Sequence, residues 1–313
     1  MTAVSRGMRM ERGFSIIVPT HNRADRLRLT LRSLTVLKRP DDRLCEVIVV
    51  DNASRDLTTD VVDAFAREVP GMFRMVREDR LGVGFARNAG LREARFDYLV
   101  FFDDDVEVAP EWLEAALEAF DALGADCVVG PVEPWFETDP PAYLTPRVLD
   151  SLTSSYSRRG DAVQRLHGAE ACQVPGCNFA VKRAAALEVE GFDEKLGRRG
   201  RRVMGGEDWD FGERLVRAGK MILYHPKCRI RHWISRQKLS RAHLRRRWYG
   251  FGQIQHIRDS ALGLDGGWRG HLHVTRLLTV HLLASLKWSL CGDCARAFEE
   301  ELFALQDLGR LIG

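Results

Sequence analysis

The chain has 313 residues, 45% of them hydrophobic and 29% charged, with a formal net charge of +3. This is the composition of a globular protein with one large domain or a domain and an appendage, and the near-balanced charge argues against nucleic acid as a partner. No uninterrupted apolar run reaches the roughly 18 residues that a membrane-spanning helix needs. Residues 1–13 carry Arg6, Arg9 and Arg12 without an apolar stretch, so they read as a flexible arm and not as a signal peptide. Seven cysteines, an odd number scattered along the chain, point to a reducing, cytoplasmic setting.

Phe14 to Pro19 is a continuous apolar run, as expected of a strand covered on both faces, and Leu27, Leu31 and Leu34 follow at helical spacing. Glu46 to Val50 repeats the pattern and ends on Asp51, before a turn at Asn52, Ala53 and Ser54 and a helix marked by Val61, Val62 and Phe65. Phe73 to Val76 predicts a third strand, and Gly82 and Gly84 open a helix that carries Arg87 and Asn88. Tyr98 to Phe102 predicts a fourth strand, Pro110 to Leu123 a helix, and Asp126 to Val129 a fifth strand. This alternation with short connections predicts an α/β fold with a mostly parallel central sheet flanked by helices. It is not a dinucleotide-binding sheet of the usual kind, because the first strand leads into Pro-Thr-His-Asn-Arg and not into a glycine-rich turn.

The fourth strand runs straight into Asp103, Asp104 and Asp105. Three adjacent carboxylates repel one another and resist desolvation, which excludes a core role. Ligands of such sheets collect beyond the carboxyl ends of the strands. In an extended chain Asp103 and Asp105 point the same way and can share a hard divalent cation. The alternative is a solvated loop that caps the next helix.

Between Gly130 and Gln173 five prolines interrupt any pattern, as in a long excursion. Val174 to Val181 predicts a strand, followed by a helix from Arg183 and a basic loop through Lys195, Arg198, Arg199, Arg201 and Arg202. The next helix begins near Glu207 and places Asp208, Phe211 and Leu215 on one face. A carboxylate on that face points inward as a functional group, or caps the helix. Lys220 to Tyr224 is a last strand. The basic segment Arg229 to Arg247, which includes His232 and Trp233, is either a solvated helix face or a cationic wall for phosphates. His271 to Leu290 is leucine-rich and amphipathic, suited to packing on the sheet, on a second copy in a homodimer, or on a membrane surface as a peripheral contact.

Taken together, these landmarks resemble the family 2 glycosyltransferases of the GT-A fold, over residues 14 to about 235. Ser15 to Arg23 resembles the family's opening strand and nucleotide-contacting turn, Val49 to Ser54 its second strand with a base-contacting Asp, and Ala86 to Gly90 the helix start over the nucleotide. Phe102 to Asp105 resembles the D-x-D metal motif, and Gly206-Glu207-Asp208 the acceptor-side E-D motif. The resemblance implies an inverting, nucleotide-sugar-dependent hexosyltransferase that uses Mg2+ or Mn2+. Donor contacts are then expected from Pro19, Thr20, Asn22, Arg23, Asp51, Arg80, Arg87, Asn88, Asp103 and Asp104, and metal contacts from Asp103, Asp105 and His232. Asp208 is the implied base, with Glu207 beside it either raising its pKa by like-charge repulsion or orienting the acceptor. The partners implied are a nucleotide-diphosphate sugar and a hydroxyl acceptor, which is a glycan, a lipid-linked sugar or a natural product. The domain expectation is a nucleotide-binding half over 14–130, an acceptor half over 131–235 and a helical C-terminal region over 236–313. The alternatives are a non-catalytic carbohydrate-binding relative, which would lose these carboxylates, and a sugar nucleotidyltransferase, which would carry a glycine- and arginine-rich loop after the first strand.

Overall fold

A computed structural model of the chain describes residues 11–40, 43–152, 159–197, 205–261 and 266–312. Arg6, Arg9 and the basic-loop residues Arg198, Arg199, Arg201 and Arg202 lie outside the described residues. The chain divides into two compact units. The first comprises Met1–Pro131, Arg159–Asp193 and Asp208–Ile230, and the second Val132–Arg158, Glu194–Glu207 and Arg231–Gly313.

The first unit is built on one sheet. Its chain runs β1 (Glu11–Thr20), α1 (Ala24–Thr35), β2 (Leu44–Asp51), α2 (Thr58–Glu68), β3 (Phe73–Arg77), α3 (Val83–Glu93) and β4 (Phe96–Phe102). Then come β5 (Val106–Val108), α4 (Trp112–Leu117) and β6 (Cys127–Val129). After an excursion into the second unit through β7 (Val132–Phe136) and α5 (Pro146–Asp150), it resumes with β8 (Gln164–Arg165) and α6 (Gly168–Ala171). β9 (Asn178–Lys182), α7 (Arg183–Glu188), α8 (Glu207–Arg217) and β10 (Ile222–Tyr224) complete it. Among the described residues eight of the first unit's strands, all but β5, form the sheet in the order β3-β2-β1-β4-β9-β6-β10-β8.

Strands β3, β2, β1 and β4 are parallel, and the apolar runs of the two central ones are covered on both faces: Phe14, Ile16, Ile17, Val18 and Val47 to Val50 are fully buried. The sequence pattern does not reveal that β9 lies between β4 and β6 and runs antiparallel to both, pairing Phe102 with Asn178 and Val129 with Phe179. A fully buried strand has no alternation from which direction could be read. The expected strand at Val174 to Val181 is also shorter at its start, and Val174 to Cys177 approach it as a loop. Asn178 fixes this junction: its Nδ2 donates to the carbonyls of Pro131 and Cys228, and its Oδ1 accepts from Trp112 Nε1 at 2.9 Å. Helix α3 lies close on β1 because Gly90 has no side chain; a Cβ there would stand 2.4 Å from Ile17 Cγ2. That approach brings Arg87, one turn earlier, toward the carboxyl end of the sheet.

The second unit contains β7, α5, β11 (Ile230–Ile234), α9 (Arg241–Ala261), α10 (Gly267–Leu290) and α11 (Cys294–Ile312). Leu144, Val148, Ile234, Leu244, Trp248 and Phe298 form its core. Much of the basic segment is engaged here: Arg231 lies over the Trp135 ring at 4.8 Å, Arg241 over Tyr143 and Phe298, and Arg245 pairs with Glu301 at 2.6 Å. Long arginine stems cover apolar surface while the guanidinium meets an aromatic face or a carboxylate.

Candidate active site

The site gathers at the carboxyl ends of β1, β2 and β4. Immediately after β4 the chain turns at Asp104 and Asp105, so these acids do not continue the strand's alternation. The turn still brings a carboxylate oxygen of Asp103 and one of Asp105 within 4.8 Å of each other. Asp103 is half-exposed, whereas Asp104 and Asp105 are buried. Thr20 Oγ1 donates to Asp104 Oδ2 at 2.7 Å, and Arg23 Nη1 donates to Asp104 Oδ1 at 3.0 Å and Asp105 Oδ2 at 3.1 Å. Burial pushes the Asp104 carboxyl above its ordinary range, Arg23 pulls it back, and the neighbouring acids add to the rise. The same carboxylates hold the Arg23 guanidinium firmly protonated, chiefly through Asp104.

The turns after β1 and β2 clasp each other. Asn22 and Ala53 both have left-handed backbone, with φ of +52° and +60°. Non-glycine residues adopt such angles only where surrounding bonds hold them. Here the Asn22 amide donates to Ser54 Oγ at 3.0 Å, Asn22 Oδ1 accepts the Arg55 amide at 2.8 Å, and His21 Nδ1 meets the Asn52 carbonyl at 2.6 Å. Asp51 is buried at the end of β2; it accepts the Ser54 amide at 2.8 Å and Arg77 Nη1 at 2.7 Å. Asn52 reaches the third turn, donating to the carbonyls of Glu78 and Arg80 and accepting the Gly82 amide. Arg80 pairs with Glu78 at 2.9 Å and lies over the Phe85 ring, and its hydrogen bond holds the Glu78 carboxyl below the usual range. Pro19 is half-buried near the end of β1, opposite Val50.

The opposite wall comes from α3, the loop before β9, and α8. The buried Arg87 donates through Nη2 to the Gly176 carbonyl at 2.9 Å and to Asp103 Oδ1 at 3.4 Å. The Gly176 amide donates to Asp208 Oδ2 at 3.0 Å. Asp208 is the second residue of α8, and this bond takes its carboxylate across to a different element. Glu207, the first residue of α8, is buried. Phe211, one turn on, is fully buried and stacks on Phe192 at 4.5 Å, which seats the helix. Asn88 is engaged by the backbone of Phe192, donating to its carbonyl and accepting its amide. His232 lies on β11 in the second unit.

Four residues of this arrangement escape a sequence reading: Arg77, Asn52, Gly176 and Cys177. Asn52 and Gly176 sit beside recognised landmarks, but their partners are distant in sequence. The Cys177 thiol is pushed well above its ordinary pKa, first by burial and then by Asp103, Asp105 and Asp208. It therefore stays protonated.

Paired carboxylate oxygens are hard donors of the type that Mg2+ or Mn2+ accepts, and Asp103 and Asp105 fit such an ion. The fold and this acidic turn define an α/β protein with a candidate divalent-cation site, and comparison narrows the class. Residues 15–188, more than half of the chain, match the family model described as glycosyl transferase family 2, and the chain belongs to that family. The succinoglycan biosynthesis protein ExoM of Rhizobium meliloti is 28% identical over 76% of this chain and 74% of its own length. The glycosyltransferase AglE of Haloferax volcanii is 30% identical over 38% of this chain and 39% of its own length. Among solved structures, a mannosyltransferase from Pyrobaculum calidifontis in complex with GDP-Man and Mn2+ matches with a TM-score of 0.61 and 20% identity, over 95% of this chain and 87% of that one. The fold is GT-A, with a helical C-terminal extension.

Proposed function

We propose that the chain transfers a sugar from a nucleotide-diphosphate donor to an acceptor hydroxyl, with inversion at the anomeric carbon and with Asp208 as the base. The observation that carries this reading is the chain of contacts Asp103–Arg87–Gly176–Asp208, in which one arginine and the backbone of one glycine link an acid of the β4 turn to the acid of α8. A single-displacement transfer needs a site for the diphosphate and a base for the acceptor at opposite sides of one carbon. Asp103 and Asp105 would hold Mg2+ or Mn2+, with His232 as a further ligand proposed on the sequence pattern alone. When bound, the ion would stabilise charge developing on the departing diphosphate. Asp208 accepts the acceptor's hydroxyl proton as its oxygen bonds the anomeric carbon, and the diphosphate leaves with the electron pair of the broken bond. Glu207 orients the acceptor. Asp51, with the turns of Thr20, Asn22 and Arg23, faces the nucleotide, while Arg80, Arg87 and Asn88 shape its other side.

The relatives' names support a nucleotide-sugar donor, and the pairing of solved relatives with Mn2+ supports the metal. The test is turnover against a panel of nucleotide sugars with Mn2+, with EDTA, and with Asp208→Asn. Activity should vanish with EDTA, and the Asn variant should keep donor binding while losing about 100- to 10,000-fold in rate. Full activity in EDTA, or in the variant, sinks the metal or the base respectively.

A further inference from the structure

Helix α10 has one face that its own unit covers and one that it does not. On the inner side Val274 is buried, His281 Nδ1 meets Glu300 of α11 at 2.6 Å, and Ser285 Oγ donates to the Ala297 carbonyl at 2.8 Å. On the outer side Trp268 and Leu272 near one end and Leu283, Leu286 and Leu290 near the other fall on one line, with the exposed Thr275 and Thr279 between them, and the five are 72%, 44%, 62%, 58% and 81% exposed. Single exposed leucines are ordinary, but a stripe along a 24-residue helix calls for a partner. The helix's charge is one-sided as well. Gly267–Leu290 contains no Asp or Glu, and Arg269, Arg276 and Lys287 recur at intervals of seven and eleven residues, which places them in one row beside the stripe. The acids of the adjoining α11 are already engaged: Glu299 with Arg147, Glu300 with His281, Glu301 with Arg245 and Asp307 with His281.

We propose that this face of α10 lies on an anionic lipid bilayer, with the leucine and tryptophan stripe at the acyl boundary and the three cations among the headgroups. An aromatic and aliphatic face edged by Arg and Lys is the chemistry of an interfacial helix. No helix among the described residues is long and apolar enough to cross a membrane, so the contact is with a surface. A second copy fits the face less well. Antiparallel pairing through the stripe would set two rows of cations side by side, with no carboxylate on either helix to match them. The inference concerns a surface that is separate in sequence from the acidic turn, and it stands or falls without the catalytic proposal.

The test is flotation of the full chain with phosphatidylcholine vesicles and with vesicles containing about one third phosphatidylglycerol. Binding should be about tenfold or more stronger on the anionic vesicles and should weaken as salt is raised. Leu283→Glu with Leu286→Glu should abolish it, and Arg276→Gln with Lys287→Gln should remove the preference for phosphatidylglycerol. Both variants should melt at the wild-type temperature, because the altered side chains face solvent. Equal binding to the two vesicle types, unchanged flotation of the double-Glu variant, or a solution dimer that this variant dissolves without any vesicle binding would overturn the proposal.

Discussion

Arg87 and Asp208 hold Gly176 through its two flanking peptide groups: Arg87 Nη2 donates to the Gly176 carbonyl at 2.9 Å, and the Gly176 amide donates to Asp208 Oδ2 at 3.0 Å. A Cβ at Gly176 would lie 2.6 Å from Arg87 Nη2 and 2.8 Å from Asp208 Oδ2, so no larger residue fits without moving one of them. Gly176→Ala should therefore lower turnover by about a hundredfold, the scale of a 1 Å misplacement in an active site. The melting temperature should fall by a few degrees at most, since the displaced groups are side-chain ends. Wild-type turnover in a folded Ala variant would detach these contacts from catalysis.

Arg23 is a counter-cation of the β4 turn, bonded to both Asp104 and Asp105. Replacing it by Gln leaves buried carboxylates without that partner. Because Arg23 is 40% exposed, the expected loss is below that of a fully buried pair, about 1–2 kcal/mol. Mn2+ should raise the melting temperature of Arg23→Gln more than that of the wild type, because the ion then supplies the missing positive charge. Equal increments from Mn2+ in both proteins would separate the acidic turn from metal binding.

One carboxylate caps two helices. Asp56 Oδ2 accepts the amide of Ala24, the first residue of α1, and Asp56 Oδ1 accepts both the amide and the hydroxyl of Thr58, the first residue of α2. Desolvation pushes this carboxyl up, but the hydrogen bonds from Thr58 and Ala24 outweigh it, and the net shift is downward from 3.8. A lowered folded-state value means that the cap stabilises fully above about pH 4 and is lost as pH falls through the folded value. Asp56→Ala should cost about 1–2 kcal/mol at neutral pH. The difference from wild type should shrink below pH 4 in pH-dependent denaturant melts, and a gap unchanged at about pH 3 would contradict the cap.

Gly90 sets the distance between α3 and β1, where a Cβ would stand 2.4 Å from Ile17 Cγ2. Gly90→Ala should destabilise by about 1–3 kcal/mol in urea unfolding, as overpacking does, in spite of alanine's better helix propensity. A variant as stable as the wild type would show that α3 can shift without loss.

Much of the catalytic half was legible locally. The apolar runs of β1, β2 and β4, which end at Thr20, at Asp51 and just before Asp103, lie in strands of ten residues or fewer, and burial on both faces writes them directly into the chain. The leucines of α10 were equally plain as an amphipathic series. What lay beyond reach was partnership. Expected alternation paired Asp103 with Asp105, whereas a turn at Asp104 brings them together.

The sequence by itself marked the candidate site residues and the edges of most elements, because hydrophobic period, turn residues and acid clusters act over short stretches. Only the tertiary structure decided who meets whom. Thr20 reaches Asp104 across 84 residues and Arg87 reaches Gly176 across 89, because strand order sets those neighbours. The antiparallel insertion of β9 between β4 and β6 carries Gly176 to the site. The tertiary structure also decided which side of α10 is covered, since an amphipathic series shows that a helix has an apolar face but not what that face will meet.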